Sequence, residues 1–363
     1  MEKRVKRIFN NLEEKLDIIL IKNSSEPFID ENFFYVTGLQ KGLFEGAVAV
    51  LFPDGKIDLI VSELESETAS KTNLNLEIYR NEGDFEKILK KSYTKYSNIG
   101  LNYNGVKHKD YLRLKKIFFN SNLKDVSNAF AKTRAVKENS ELELMKKAAN
   151  ISDRVMEKIP EILCKGMSEH ELAAEINYLM QKNGADKPAF ETISSFGENT
   201  AEPHYTHGDK KIESGDFIIC DFGASYKKYN SDITRTFVFG DASSKQKEMY
   251  QTVLKAQKTG FDKISEDVKA CEVHKVVEDF IDNTSFKGHF IHSTGHSLGM
   301  LVHDGGPGFR TGCEEKLKQN MVLTVEPGVY IAGYGGVRIE DDVVVKKDGI
   351  EILTKSSRDF IEI

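Results

Sequence analysis

Hydrophobic and polar positions change period several times along the chain. Near the start, Leu12, Leu16 and Ile19 fall at helical spacing, and residues 17–21 form a short β-type run. A helix followed by a buried strand is expected there. Strand-like pieces follow at 33–36, 46–52 and 56–61. The Pro53-Asp54-Gly55 turn between the last two predicts a hairpin. Helical stretches come next at 84–95 and 109–119, and residues 120–122 read as a loop. Strands mixed with helices make residues 1–125 a small α/β domain.

Residues 126–363 form the second expected domain. Its first helix covers 140–159, with Leu142, Met145, Ala149 and Val155 as the buried stripe. Pro160 follows. A second helix covers 168–183, where Ser168 with Glu171 resembles a capping box and Gly184 a helix stop. Beyond residue 190 the pattern turns to short strands, interrupted by helices at 243–266 and 270–282. No low-complexity tract or short-period repeat is visible.

Composition narrows the class of protein. A length of 363 residues exceeds one ordinary core and suits two domains. With 39% hydrophobic and 30% charged residues, the mix is that of a soluble globular protein. The net charge of −6 and pI near 5.9 argue against a nucleic-acid partner, which would favour a basic surface. Cys164, Cys220, Cys271 and Cys313 are far apart, as expected of reduced thiols in a cytoplasmic protein. The N-terminal segment alternates charge with apolar residues, unlike a signal peptide or a membrane span.

The strands of the last third carry an oddity. The apolar run 217–220 ends in Asp221, a carboxylate that is costly to bury unless something positive holds it. Asp232 stands near the start of the next strand. Residues 223–229 can turn the chain, so the two strands can pair and bring the aspartates together. The run 322–325 ends in Glu326, followed by Pro327 and Gly328. Glu340 sits within the strand-like stretch 336–345, two residues from Arg338 and on the same face. Between these pairs lies a glycine-punctuated segment with His292, His296 and His303. Singly, each acid has a structural reading: Asp221 as a strand–turn cap, Glu340 as a partner of Arg338. Together the four carboxylates bring a charge of about −4, which two divalent cations offset. Arg338 alone could not. Oxygen-rich ligation with one imidazole and no thiolate suits manganese, iron, cobalt or zinc, with manganese favoured.

Five motifs stand in order along the second domain: Asn199…Pro203-His204-Tyr-Thr, D-F-G-A…N-S-D-I-T-R-T-F, G-H-S-L-G…V-H-D, T-V-E-P-G-V-Y and G-V-R-I-E-D. They resemble those of the pita-bread metallopeptidases, the superfamily of methionine aminopeptidase, aminopeptidase P, prolidase and creatinase. Phe33-Phe-Tyr-Val-Thr-Gly38 is loosely similar to a motif of the creatinase/prolidase leader domain, and Thr133-Arg-Ala-Val-Lys-Glu138 to its interdomain connector. The resemblance implies an α+β protein: a pita-bread catalytic domain, with a curved antiparallel sheet and helices on its outer face, preceded by the smaller α/β domain. Methionine aminopeptidases lack the leader, and creatinase lacks the metal ligands. The Xaa-Pro branch, aminopeptidase P or prolidase, is therefore the expected one.

The resemblance also implies roles. Asp221 would chelate one metal, His296 and Glu326 the other, and Asp232 and Glu340 would bridge both. A water or hydroxide between the metals would be the nucleophile, with Glu326 as proton shuttle. His303 would stabilise the tetrahedral intermediate. His292, expected to be catalytic as well, would with His204 and Arg338 join His303 in binding short proline-containing peptides. A homodimer is expected on the same ground. One departure concerns His303-Asp304, where many prolidases have Val-His-Glu; it weakens the strict dipeptidase reading against the aminopeptidase one. Arg310 could reach a substrate carboxylate and His207 could join the pocket, though each reads first as a solvated loop residue; His108, His170, His274 and His289 read as surface or structural. Tyr330 is open between contacting the site and packing. The rival class, a non-catalytic peptide-binding module on the same fold, would be marked by a missing ligand, and none is missing.

Overall fold

In the computed structural model, which describes residues 1–363, the turn at Pro53-Asp54-Gly55 joins the antiparallel strands Val48–Leu51 and Ile57–Ser62. Gly55 closes it at φ 97°, a left-handed conformation that costs glycine little. This hairpin belongs to a six-stranded mixed sheet in the first of two units, Met1–Arg134. The order across the sheet is Asn75–Tyr79, Ile57–Ser62, Val48–Leu51, Ile18–Lys22, Asn98–Leu101, Asn122–Asp125. Ile18 and Leu20 pack with Phe85 and Leu89 of the helix Glu82–Ser92 and with Leu114 and Ile117 of the helix His108–Ile117. Ile19 and Ile21, on the opposite face, are equally buried, which is why this strand reads as an unbroken apolar run.

Three local expectations are corrected here. The first helix is Glu2–Asn10, upstream of the Leu12/Leu16 stripe, and it buries Val5 and Ile8 from its own three-residue spacing. Residues 33–36 are helical, within Glu31–Thr37. An aromatic, β-branched run favours a strand by propensity, but its end signals override that preference. The Asp30 side chain caps the start by accepting from the Asn32 N–H, and Gly38 closes the end at φ 72°. Asn122 opens the edge strand Asn122–Asp125, whose single apolar residue, Leu123, is half-buried and too little to signal a strand.

In the second unit, Ala135–Ile363, the helix Asn139–Met156 buries Leu142, Met145, Ala149 and Val155 as its stripe predicts. The helix Glu169–Lys182 starts at the Ser168/Glu171 capping box, and Gly184 follows it at φ 103°. Both pack against a three-stranded antiparallel sheet, Ile193–Phe196, Phe217–Phe222 and Ile233–Val238, around Ile151, Leu172, Ile218 and Cys220. The helices Ser244–Lys263 and Ala270–Asp282 cover two further β elements, the sheet Val322–Val325, Asp341–Lys346, Gly349–Ile352 and the hairpin Gly328–Ile331/Gly335–Arg338. A small sheet of Tyr229–Asn230, Ala224–Tyr226 and Lys187–Pro188 completes the unit. An isolated bridge between Thr234 and Glu340 joins the two β systems. No helix is long and apolar enough to cross a membrane.

The junction is braced by a buried ion pair. Arg235 is 1% exposed and donates to Asp341 at 2.8 Å and to the carbonyls of Thr234, Glu340, Ser356 and Ser357. Asp341 also accepts from Gln257, Thr354 and Arg358. Removing one partner of such a pair leaves the other buried charge short of partners. Arg235→Leu is therefore expected to destabilise the second unit by about 3–5 kcal/mol, read by urea unfolding. A loss below about 1 kcal/mol would show that the network contributes only packing.

Candidate metal centre

The polar residues of interest come from five separate segments, each fixed by backbone pairing. Asp221 lies in the strand Phe217–Phe222, directly opposite Thr234 of the neighbouring strand, whose first residue follows Asp232. His296 exchanges hydrogen bonds with Thr324: its N–H donates to Oγ1 at 3.2 Å, and its carbonyl accepts from the Thr324 N–H at 2.9 Å. Glu326 directly follows the strand Val322–Val325, and its N–H donates to the Thr294 carbonyl. Glu340 is not inside a strand, as its surroundings suggested. It occupies the break between Gly335–Arg338 and Asp341–Lys346, held there by its N–H donating to the Thr234 carbonyl at 3.1 Å.

Asp221, Asp232, His296, Glu326 and Glu340 all line one cavity of about 320 Å³, together with His204, His292, His303 and Arg338. Ligand atoms of Asp232, His296 and Glu340 lie within 4.8 Å of one another. The His296 Nε2 is 3.6 Å from both Asp232 Oδ2 and Glu326 Oε1. Arg338 Nη2 donates to Asp221 Oδ2 at 2.5 Å. Asp221 Oδ1 and Asp232 Oδ1 are buried with no hydrogen-bond partner.

Orphaned carboxylate oxygens in a closed space call for a positive partner. Burial raises the Asp232 and Glu340 pKa values well above the carboxylate range, and neighbouring acids add to it: Glu340 and Asp221 for the first, Glu326 and Asp221 for the second. Burial also raises Glu326. It lowers His292, His296 and His303, keeping them in the neutral form that ligates metals and accepts or donates a proton. Oxygen donors, one imidazole and unpartnered anionic atoms fit divalent cations.

The surrounding residues sort by what they touch. Tyr330 contacts the site: its hydroxyl meets His292 Nε2 at 2.9 Å and accepts from Arg338 Nη1 at 2.9 Å. Arg338 lines the cavity but also braces Asp221, Thr234 and the Pro203 carbonyl. The His303 ring stacks on His296 with centroids 4.1 Å apart. Asp304 folds back into its own loop, accepting from the N–H groups of Met300 and Gly305. Arg310 is exposed, and neither it nor His207 lines the cavity. His274 and His289 bond to Thr294 and to the Tyr330 carbonyl. Cys220 is fully buried in the core beside Asp221.

Sequence reading missed the residues behind the acids. Thr234 Oγ1 donates to Glu340 Oε2 at 2.6 Å, Thr324 Oγ1 to Glu326 Oε1 at 3.3 Å, and Asp342 accepts from the Asp232 N–H. The two-residue alternation from Asp232 to Thr234, and from Thr324 to Glu326, was the available signal.

Proton linkage gives this site a signature. Asp232 and Glu340 have folded-state pKa values above their unfolded ones, so the metal-free fold binds more protons than the unfolded chain between the two. Their contribution is most favourable in acid and is lost as pH rises through the raised values. The metal-free melting temperature should accordingly carry a falling component as pH rises above the ordinary carboxylate range. Added manganese should raise it more at higher pH, because cations compete with protons. Scanning fluorimetry with and without the metal reads this. Equal increments at lower and higher pH would count against a carboxylate-held metal.

Comparison with known proteins agrees with this geometry. Residues 143–347 match the model of metallopeptidase family M24, and residues 4–136 match that of the creatinase/prolidase N-terminal domain. The chain is 35% identical over 363 residues to a Pyrococcus horikoshii protein named Xaa-Pro dipeptidase, covering 99% of each. It superposes with a TM-score of 0.91 on an Xaa-Pro dipeptidase from Bacillus anthracis, at 32% identity and 99% coverage of both chains. An X-Pro aminopeptidase from Thermotoga maritima gives the same TM-score, identity and coverage. The two-domain α+β pita-bread fold implied by the motifs is thus the fold observed. A family match across more than half of the chain, with full-length relatives on both sides of the dipeptidase–aminopeptidase divide, places this protein in metallopeptidase family M24.

Proposed function

We propose that this chain is a metal-dependent exopeptidase that hydrolyses the bond between an N-terminal residue and a following proline. The observation that carries the reading is the convergence of four carboxylates and one imidazole on a single cavity with two orphaned anionic oxygens. The names of full-length relatives supply the substrate class. Two divalent ions, manganese by preference, would be held by Asp221 on one side, by His296 and Glu326 on the other, and by Asp232 and Glu340 between them. When bound, such ions polarise a carbonyl and lower the pKa of water.

The chain's own residues handle protons and substrate. Glu326 takes a proton from the attacking water and delivers it to the proline nitrogen, which must be protonated to leave. His303, neutral and at the open side of the cavity, donates to the oxyanion of the tetrahedral intermediate. His292, oriented by the Tyr330 hydroxyl, lines the substrate side with His204, and Arg338 completes it. Phe190, Ile193 and Val302 form an apolar wall suited to a proline ring.

A strict dipeptidase form has specific support. The Pyrococcus horikoshii and Pyrococcus furiosus relatives, both 35% identical, are named Xaa-Pro dipeptidase. Asp304, the departure from the prolidase pattern, turns into its loop and away from the cavity lining, so it leaves the substrate wall unchanged. Four unpaired cysteines fit a reducing, cytoplasmic setting.

Protein stripped of metal and refilled with manganese should hydrolyse Xaa-Pro substrates and leave Xaa-Ala controls intact. Rates on Xaa-Pro against Xaa-Pro-Yaa peptides separate the two forms. Inactivity on every proline peptide would sink the reading. Asp232→Asn keeps the shape and removes the charge. It should lower the rate by more than the roughly 100-fold typical of an outer-layer partner, without lowering the melting temperature of metal-free protein.

A further inference from the structure

A second cavity, of about 440 Å³, lies within the unit Met1–Arg134 and is lined by residues the peptidase reaction does not use. Lys22, the last residue of the strand Ile18–Lys22, reaches it from the sheet and is only 7% exposed. Its ammonium donates to the Asn23 carbonyl at 2.5 Å, and no carboxylate forms an ion pair with it. An ammonium carries three donors, so two are left over. Burial lowers its pKa to about 8, as expected of a charge enclosed without a close partner.

The acids on the same lining are already engaged. Asp110 accepts from the Ser24 hydroxyl, Glu45 from the Glu26 N–H at 3.0 Å, and Glu82 is 3.5 Å from Arg113. The Tyr79 hydroxyl has no hydrogen bond to the protein. Gly46 keeps the space beside it open: a Cβ there would stand 2.5 Å from the Tyr79 oxygen and 3.9 Å from the Lys22 nitrogen. Three unused donors on two side chains therefore border one gap, with the Phe85 ring, in edge contact with Tyr79 at 5.2 Å, as an apolar wall.

We propose that this cavity binds a small monocarboxylate whose carboxylate serves as the counter-ion of Lys22 and accepts from the Tyr79 hydroxyl. A single negative charge is what the site takes. Lys22, Lys107, Lys109 and Arg113 face Asp110, Glu45 and Glu82 on the lining, which leaves one positive charge for one carboxylate to balance, and the Phe85–Tyr79 wall suits a short apolar tail.

The test uses the full, metal-loaded chain and three probes: butyrate, acetate and inorganic phosphate. Labelling by an amine reagent is followed at each lysine by peptide mass spectrometry. Butyrate at several times its dissociation constant should slow labelling of Lys22 about fivefold, while exposed lysines keep their rates. Acetate should protect at higher concentration, and phosphate less than either. Butyrate should raise the melting temperature of the wild type and leave that of Lys22→Met unchanged. Tyr79→Phe keeps the ammonium and should weaken butyrate about tenfold, which decides the matter if Lys22→Met does not fold. Absence of protection by either carboxylate, equal protection by phosphate, or undiminished affinity in Tyr79→Phe would overturn the proposal.

Discussion

Four carboxylates facing one small cavity repel one another, and much of the second unit is arranged around bearing that repulsion. Two like charges about 4 Å apart cost on the order of 4 kcal/mol per pair at the effective dielectric of a protein site. The chain offsets part of this itself. Arg338 neutralises one oxygen of Asp221, Thr234 donates to Glu340, and Thr324 donates to Glu326. Burial raises the pKa values of Asp232, Glu340 and Glu326, the neighbouring acids add to it, and two oxygens are left with no partner. The site is thus built for cations, and protons stand in for them when none is bound.

Holding such a site open requires a rigid frame, and the frame is polar as well as apolar. Arg235 and Asp341 are buried directly behind Thr234 and Glu340 and tie both to the segment at 356–357. Gln257 brings the helix Ser244–Lys263 into the same network through Asp341 and the carbonyls of Val325 and Ile339. A carboxylate in a strand break, such as Glu340, has no continuous ladder to fix it. Side-chain hydrogen bonds take over that task.

The legible part of this protein was the part where chemistry contradicts the local pattern. An acid set against an apolar strand is conspicuous, so Asp221, Asp232, Glu326 and Glu340 stood out, and the fold followed from the resemblance that the five ordered motifs carry. Residues 33–36 were misleading because aromatic propensity and capping disagreed, and the sequence alone does not weigh one against the other. Thr234, Thr324, Arg235 and Asp342 escaped because a threonine or a charge inside a strand has many innocent explanations. Thr234 and Arg235 act on partners 106 residues away and Asp342 on one 110 away, while Thr324 shares a strand face with Glu326, and periodicity does not reveal such pairings. The His303-Asp304 departure looked like a matter of substrate contact, yet the aspartate accepts from the N–H groups of Met300 and Gly305 in its own loop and does not line the cavity.

The ligand set is divided between two separately packed cores. Asp221 and Asp232 rest on or beside strands whose core partners include Ile151 and Leu172, while His296 and Glu326 are tied to a strand that packs with Ala270 and Val273. Glu340 straddles the seam between them. A metal bound here would act as a rivet through both layers, and its affinity would behave as a strain gauge for their alignment. A substitution deep in either core, far from any ligand, would then register as a change in metal retention before it registered as a loss of fold.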